Sequence, residues 1–380
     1  MSDLLFVALI LAIIASIFVL VIVHARRIMP YVYCSAKVSA WEARLLPEAR
    51  LREFADTAKV ANILAGLDDT DYRPYLSDIP RVEEVDVVAI ERALKRNLTE
   101  RYQELLKLVP RERRETIRKL IGRTDIWNLK TLLTAIHNNV PKERRMEEMV
   151  PSPTFSEERL KLLTSAGDFQ ELLDYLRETE FFSVLSEALK DYEKIGLIAL
   201  LSALDRHYYS SLWAEVLSKK AQRRTLKALV GYELDAVNIK LILRLKREHV
   251  PPDEMIKYII LPSHEVTEGM MKSMIIADDI SSAVEVIRYT TYGPILRGAL
   301  SEVEASGSLL PIEKALDEGL LRVCKREALV RPMGIGPAVA YIFLKEKEVR
   351  NLRTVIKLKA DKVEPVKIKE MLVKVPRIEL

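Results

Sequence analysis

The chain has 380 residues, with 59 basic and 55 acidic side chains and a net charge of only +4, so its charge balance calls for no nucleic-acid partner. Glycine is scarce (12 of 380) and Val/Ile/Thr alternation is rare, which excludes a sheet-built domain and predicts an all-α protein. Cys34 and Cys324 are far apart and form no disulfide framework, and the five histidines lack metal-ligand spacing.

The first predicted element is apolar. Residues 4–23 carry no charge and one polar side chain, Ser16. As a helix rising 1.5 Å per residue, this run covers roughly 30 Å, the depth of a bilayer's hydrocarbon. Positive charge follows it, at Arg26 and Arg27, where a cleaved signal peptide would carry charge first. Residues 1–28 therefore read as a retained transmembrane anchor. By the positive-inside rule the N-terminus lies outside and the remaining chain sits on the cytoplasmic side of the cell membrane.

Beyond the anchor, one unit of about 110 residues is used three times, over 31–140, 154–249 and 262–376. A charged, proline-bracketed linker (141–153) and the pair Pro251-Pro252 separate the copies. Each copy contains a threonine element: Thr70-Asp71-Tyr72, Thr179-Glu180-Phe181 or Thr290-Thr291-Tyr292. Its threonine resembles a helix N-cap. A charged amphipathic helix follows, seen in Ile90-Glu91-Arg92-Ala93-Leu94, Leu204-Asp205-Arg206 and Ile312-Glu313-Lys314-Ala315-Leu316.

The copy closes on a helix with an acid three positions before an asparagine: Asp125 and Asn128, Asp235 and Asn238, Glu348 and Asn351. A basic residue comes two positions later, at Lys130, Lys240 or Arg353. The asparagines are 110 and 113 residues apart, and each threonine precedes its asparagine by 58, 59 or 61 residues. The third of these helices is predicted to run from Pro337 to about Lys359, with a short helix following Glu364.

At 100° per residue, Asp125 falls on the apolar stripe of Leu129, Leu132, Leu133 and Ile136, with Asn128 at its edge. A carboxylate on a packing face must be paired or hydrogen-bonded. The basic residue five positions on points elsewhere, so the partner comes from another element. Two readings follow for the six polar residues: a structural clamp repeated in each unit, or a polar ladder that grips a partner. Catalytic signals are absent. Gly334-Ile335-Gly336-Pro337 is a turn before a helix, because proline lacks an amide that a phosphate loop would use.

Three such repeats, each closing on acid-x-x-Asn-aliphatic-basic, resemble the C subunit of the archaeal and bacterial V/A-type rotary ATPase and its vacuolar relative, the d subunit. The stretch from Tyr341-Ile342-Phe343 to Glu348-Val349-Arg350-Asn351-Leu352-Arg353 carries the likeness most strongly, followed by Gly231-Tyr232-Glu233-Leu234-Asp235-Ala236-Val237-Asn238-Ile239. The resemblance implies three helical subdomains in a pseudo-threefold funnel, with no cofactor, small-molecule substrate or catalytic activity of its own. It further implies a socket between the central axle subunits and the membrane rotor ring, transmitting torque for ATP synthesis coupled to H⁺ or Na⁺ transport. A membrane-anchored helical scaffold unrelated to the ATPase is the alternative.

The apolar helix departs from the usual soluble members of that family. An anchor in lipid outside the ring would strike the stator on each turn, so residues 4–23 are expected to enter the ring's lumen. Residues 345–380 hold 11 Lys/Arg against 6 Asp/Glu. That surplus reads either as a contact with acidic headgroups or ring loops, or as a solvated helix face.

Overall fold

The structure, a computed structural model, describes residues 2–81, 85–152, 154–218 and 223–375. Among these the ordered elements are helical, with no strand, as the composition predicts. The long helices are α1 (Ser2–Glu42), α2 (Val87–Leu108), α3 (Arg123–His137), α4 (Ile198–Ser218), α5 (Arg223–Arg247), α6 (Leu310–Val330) and α7 (Gly336–Ala360). The helix Pro365–Met371, α8, follows α7. Asp86 starts α2 by accepting the Ala89 N–H at 3.0 Å. Pro337 starts α7, where its missing N–H costs nothing.

Helix α1 does not stop at residue 28. It continues through Pro30 to Glu42 as one 41-residue helix. Its apolar half is exposed along its described length, whereas Tyr31, Cys34, Val38 and Trp41 recur at helical spacing and are buried. The Trp41 and Tyr341 rings lie 5.6 Å apart, holding the end of α1 on α7. Pro30 faces solvent; it cannot bond the Arg26 carbonyl and its ring crowds that carbonyl, yet the helix continues past it.

The buried apolar side chains form two clusters. The smaller joins residues near the chain's start, including Phe54, Ile63 and Leu94, to Val349, Leu352, Val355 and Ile356 of α7 and Ile368 of α8. The larger carries most of the others, from Cys34 to Val373. The C-terminal part of the chain thus completes the core of its beginning.

The threonines do not serve as N-caps. In each copy the hydroxyl donates back to the carbonyl three residues earlier: Thr70 to Leu67 at 2.6 Å, Thr179 to Leu176 at 2.7 Å and Thr290 to Ile287 at 2.6 Å. It seals the end of the preceding turn and so fixes where the following aromatic ring points.

Candidate functional site

All six predicted polar residues are buried, and each asparagine does the same thing. Asn128 accepts the Val150 N–H at 3.1 Å and donates to the Val150 carbonyl at 2.8 Å. Asn238 treats Ile260 identically, at 2.8 and 2.9 Å, and Asn351 treats Val373 so, at 3.0 and 2.8 Å. The partner lies 22 residues downstream in every copy. A primary amide presents one acceptor and one donor side by side, which matches the two polar groups of a single residue in extended backbone.

The carboxylates reach further. Asp125 accepts from the Ser152 hydroxyl. Asp235 accepts three backbone N–H groups, from His264 at 2.9 Å, Glu265 at 2.6 Å and Val266 at 3.0 Å, and the Tyr292 hydroxyl at 3.1 Å. Glu348 accepts from the Leu46 N–H, the Tyr72 hydroxyl and the Lys345 ammonium, each at 2.6 Å. The aromatic residue of the threonine element therefore meets the acid of another copy: Tyr292 meets Asp235 and Tyr72 meets Glu348.

Burial acts on both aspartates, against different opposing donors. Burial pushes the Asp125 carboxyl up to about 6, with the hydroxyls of Ser152 and Thr154 pulling against it. Burial also raises Asp235, opposed by the backbone N–H groups of His264, Val266 and Glu265. In the middle copy the aromatic is Phe181, which has no hydroxyl to offer Asp125.

The basic residues repeat the pattern. Lys130 donates to Asp205 on α4, Lys240 to Asp317 on α6 at 2.5 Å, and Arg353 to Glu91 on α2 at 3.0 Å. The α6 acid stands one turn beyond Glu313, which pairs instead with Arg244 at 2.6 Å. Asp317 also meets Lys347 at 2.7 Å and Arg350 at 2.6 Å. Burial would raise its carboxyl, but Lys347, Lys240 and Arg350 outweigh that and hold it at about 2. Of the eleven cations after residue 344, Lys345, Lys347, Arg350 and Arg353 pair with Glu348, Asp317 and Glu91, Arg350 remaining half exposed, while Lys357, Lys362 and Lys367 face solvent.

One cluster combines all three copies at a single repeat position, five residues before each asparagine. Arg123 donates to Glu233 through Nη1 at 2.9 Å and Nη2 at 3.0 Å, and to Glu346 through Nη1 at 2.8 Å. Tyr102 donates to the other oxygen of Glu346. The guanidinium stands 5.0 Å from the centre of the Phe343 ring. Burial opposes the charge on Arg123, yet Glu233 and Glu346 raise its affinity for the proton further. These positions carry unlike residues (Arg, Glu, Glu), so a search for repeated identities passes over them. Their signal is complementary charge at equal register.

Among the described residues no group of His, Cys, Asp or Glu could hold a metal. The site consists of packing and ion pairing. Compared with known proteins, residues 34–371 match the family described as ATP synthase (C/AC39) subunit. The chain belongs to that family.

The ATP synthase (C/AC39) subunit is a non-catalytic part of its complex, which sets aside the reading as an unrelated scaffold. The chain is 30% identical to the A-type ATP synthase C subunit of Methanocaldococcus jannaschii, over 90% of this chain and 86% of that protein. The same-named protein of Methanothermobacter thermautotrophicus is 32% identical over 91% and 88%. That of Methanosphaera stadtmanae is 30% identical over 97% and 95%. The family match begins at Cys34, inside α1, and leaves the apolar stretch outside it. The Methanosphaera match covers enough of the chain to extend into that stretch. α1 is long and apolar enough to cross a membrane, and its most apolar window is unburied.

Proposed function

We propose that this ATP synthase subunit is the socket of the central rotor, receiving the axle subunits and passing torque to the membrane ring during ATP synthesis coupled to H⁺ or Na⁺ transport. The observation that carries this reading is the meeting of Arg123, Glu233 and Glu346. Equivalent points of three repeats converge only near an axis that relates them, which supports a pseudo-threefold funnel of the units 31–140, 154–249 and 262–376. The clamps agree in direction. Asp125 leads to the second unit, Asp235 to the third and Glu348 back to the first, so the ring closes on itself.

In this reading Asp125, Asn128, Asp235, Asn238, Glu348 and Asn351 are the structural clamp. Their burial argues against a ladder that grips a partner, because a partner reaches them only by opening the core. The apolar half of α1 passes into the lumen of the rotor ring, with the N-terminus outside and Arg26 and Arg27 at the cytoplasmic headgroups. Affinity purification of the full chain in mild detergent, with partners identified, tests the assignment: axle and ring subunits are expected together. Crosslinks from Ala12 or Phe18 should reach ring subunits, and crosslinks to the stator's membrane subunit would overturn the placement.

A further inference from the structure

A cavity of about 310 Å³ opens between α2, α3 and α7. Lys95, Arg123, Arg350 and Arg353 contribute four cations to its lining, against one carboxylate, Glu346. Three of the cations have partners elsewhere: Arg123 holds Glu233 and Glu346, Arg350 holds Asp317, and Arg353 holds Glu91. Lys95, 9% exposed, is held only loosely, by a long hydrogen bond to the Glu148 carbonyl at 3.5 Å and an ion pair with the Glu148 carboxylate at 3.9 Å. Its ammonium stands 3.6 Å from the centre of the Trp127 ring. The Nε–H of Arg353 is buried and has no partner among the described residues.

A buried ammonium whose ion pair and hydrogen bond are both stretched, and a buried guanidinium N–H without an acceptor, are both costly. One small acceptor that carries negative charge relieves both. We propose that this cavity is a binding site for a small tetrahedral oxyanion of the phosphate or sulfate class, held between Lys95 and Arg353. Lysine and arginine suit such an ion as point charge and planar donor respectively. Burial and then the nearby Arg353 charge bring the Lys95 ammonium down to about 8, so it still carries its proton at neutral pH and an anion would strengthen its hold. Apolar walls from Leu98 and Val349 exclude water from part of the site and sharpen the attraction.

Lys95 belongs to α2, near the start of the chain, and Arg353 to α7, near its end. On the ring closure proposed above, the bound ion would bridge the two ends of the ring, a further function for this protein in which phosphate availability sets how firmly the ring is fastened. Titrating the full chain in detergent with inorganic phosphate, by calorimetry and by thermal unfolding, tests this. Saturable binding and a rise in unfolding midpoint are expected for the natural chain. Lys95→Met, which keeps the volume and removes the charge, should bind at least about tenfold more weakly and lose the rise in midpoint. Sulfate should compete and chloride should not. No saturable binding to the natural chain, or equal binding by Lys95→Met, would overturn the site. Displacement of phosphate by ATP but not by sulfate would overturn the small-ion assignment in favour of a nucleotide.

Discussion

Arg123 and Glu233 occupy the same position in successive repeats, and they meet face to face through two hydrogen bonds of 2.9 and 3.0 Å. Glu346, the third member of the set, shares the same guanidinium at 2.8 Å. Removing the cation would leave the buried Glu233 carboxylate beside the half-buried Glu346 carboxylate with nothing between them. Arg123→Met is expected to cost about 3–5 kcal/mol, as for other broken buried ion pairs. Adding Glu233→Gln to that variant should recover part of the loss. Urea unfolding of both variants measures the difference, and equal losses would argue against repulsion as the cause.

The acids of the first two repeats should respond unequally to amidation. The folded Asp125 carboxyl titrates near 6, above the ordinary range of an unfolded aspartate. A raised value means that its contribution to stability is fully present below about pH 4 and is lost as pH climbs through 6. The loss is worth about 2–3 kcal/mol at neutral pH. Asp125→Asn should flatten that slope and change stability little at pH 7. Asp235→Asn turns an amide donor towards three backbone N–H groups and should cost about 2–4 kcal/mol. Unfolding midpoints from pH 4 to 7 separate the two.

Phe181 stands where the other repeats place Tyr72 and Tyr292, and it lines a cavity of about 190 Å³ together with Asp125 and Thr154. Phe181→Tyr should supply the hydroxyl that Asp125 lacks, lower its titration towards the ordinary range and add about 1–2 kcal/mol at pH 7. Tyr292→Phe should cost about as much. Thermal unfolding at pH 7 reads both, and a destabilised Phe181→Tyr chain would show that the cavity does not admit the hydroxyl.

Asn351 holds the Val373 N–H and carbonyl near the chain's end. Asn351→Ala should cost about 1–3 kcal/mol and expose that segment first. Hydrogen exchange at the Val373 amide is expected to quicken by about tenfold or more, while amides in α5 keep their protection.

How much of this was legible in the sequence differs residue by residue. The helical class, the repeat and the placement of Asp125, Asp235 and Glu348 on apolar stripes all follow from periodicity, which records burial. The identity of their partners does not. Leu46 and Tyr72 lie far from Glu348 in the chain, and only the packed fold brings them together. The threonines illustrate a local ambiguity, since a hydroxyl beside a helix start can bond forwards or backwards: all three donate backwards, and Thr70 and Thr290 also accept the N–H two residues on, from Tyr72 and Tyr292. Charge counting was similarly blind to Lys345, Lys347, Arg350 and Arg353, because a surplus along the chain does not reveal whether the cations face outwards or each other.

The unbroken course of α1 turns the protein into a pointer. From Trp41 to residue 4 the helix spans roughly 55 Å, so a tilt of about 5° at the body moves its far tip by roughly 5 Å. Any lean or wobble of the helical body is therefore reported, magnified, at the opposite end, where a spin label on Ala8 could read it.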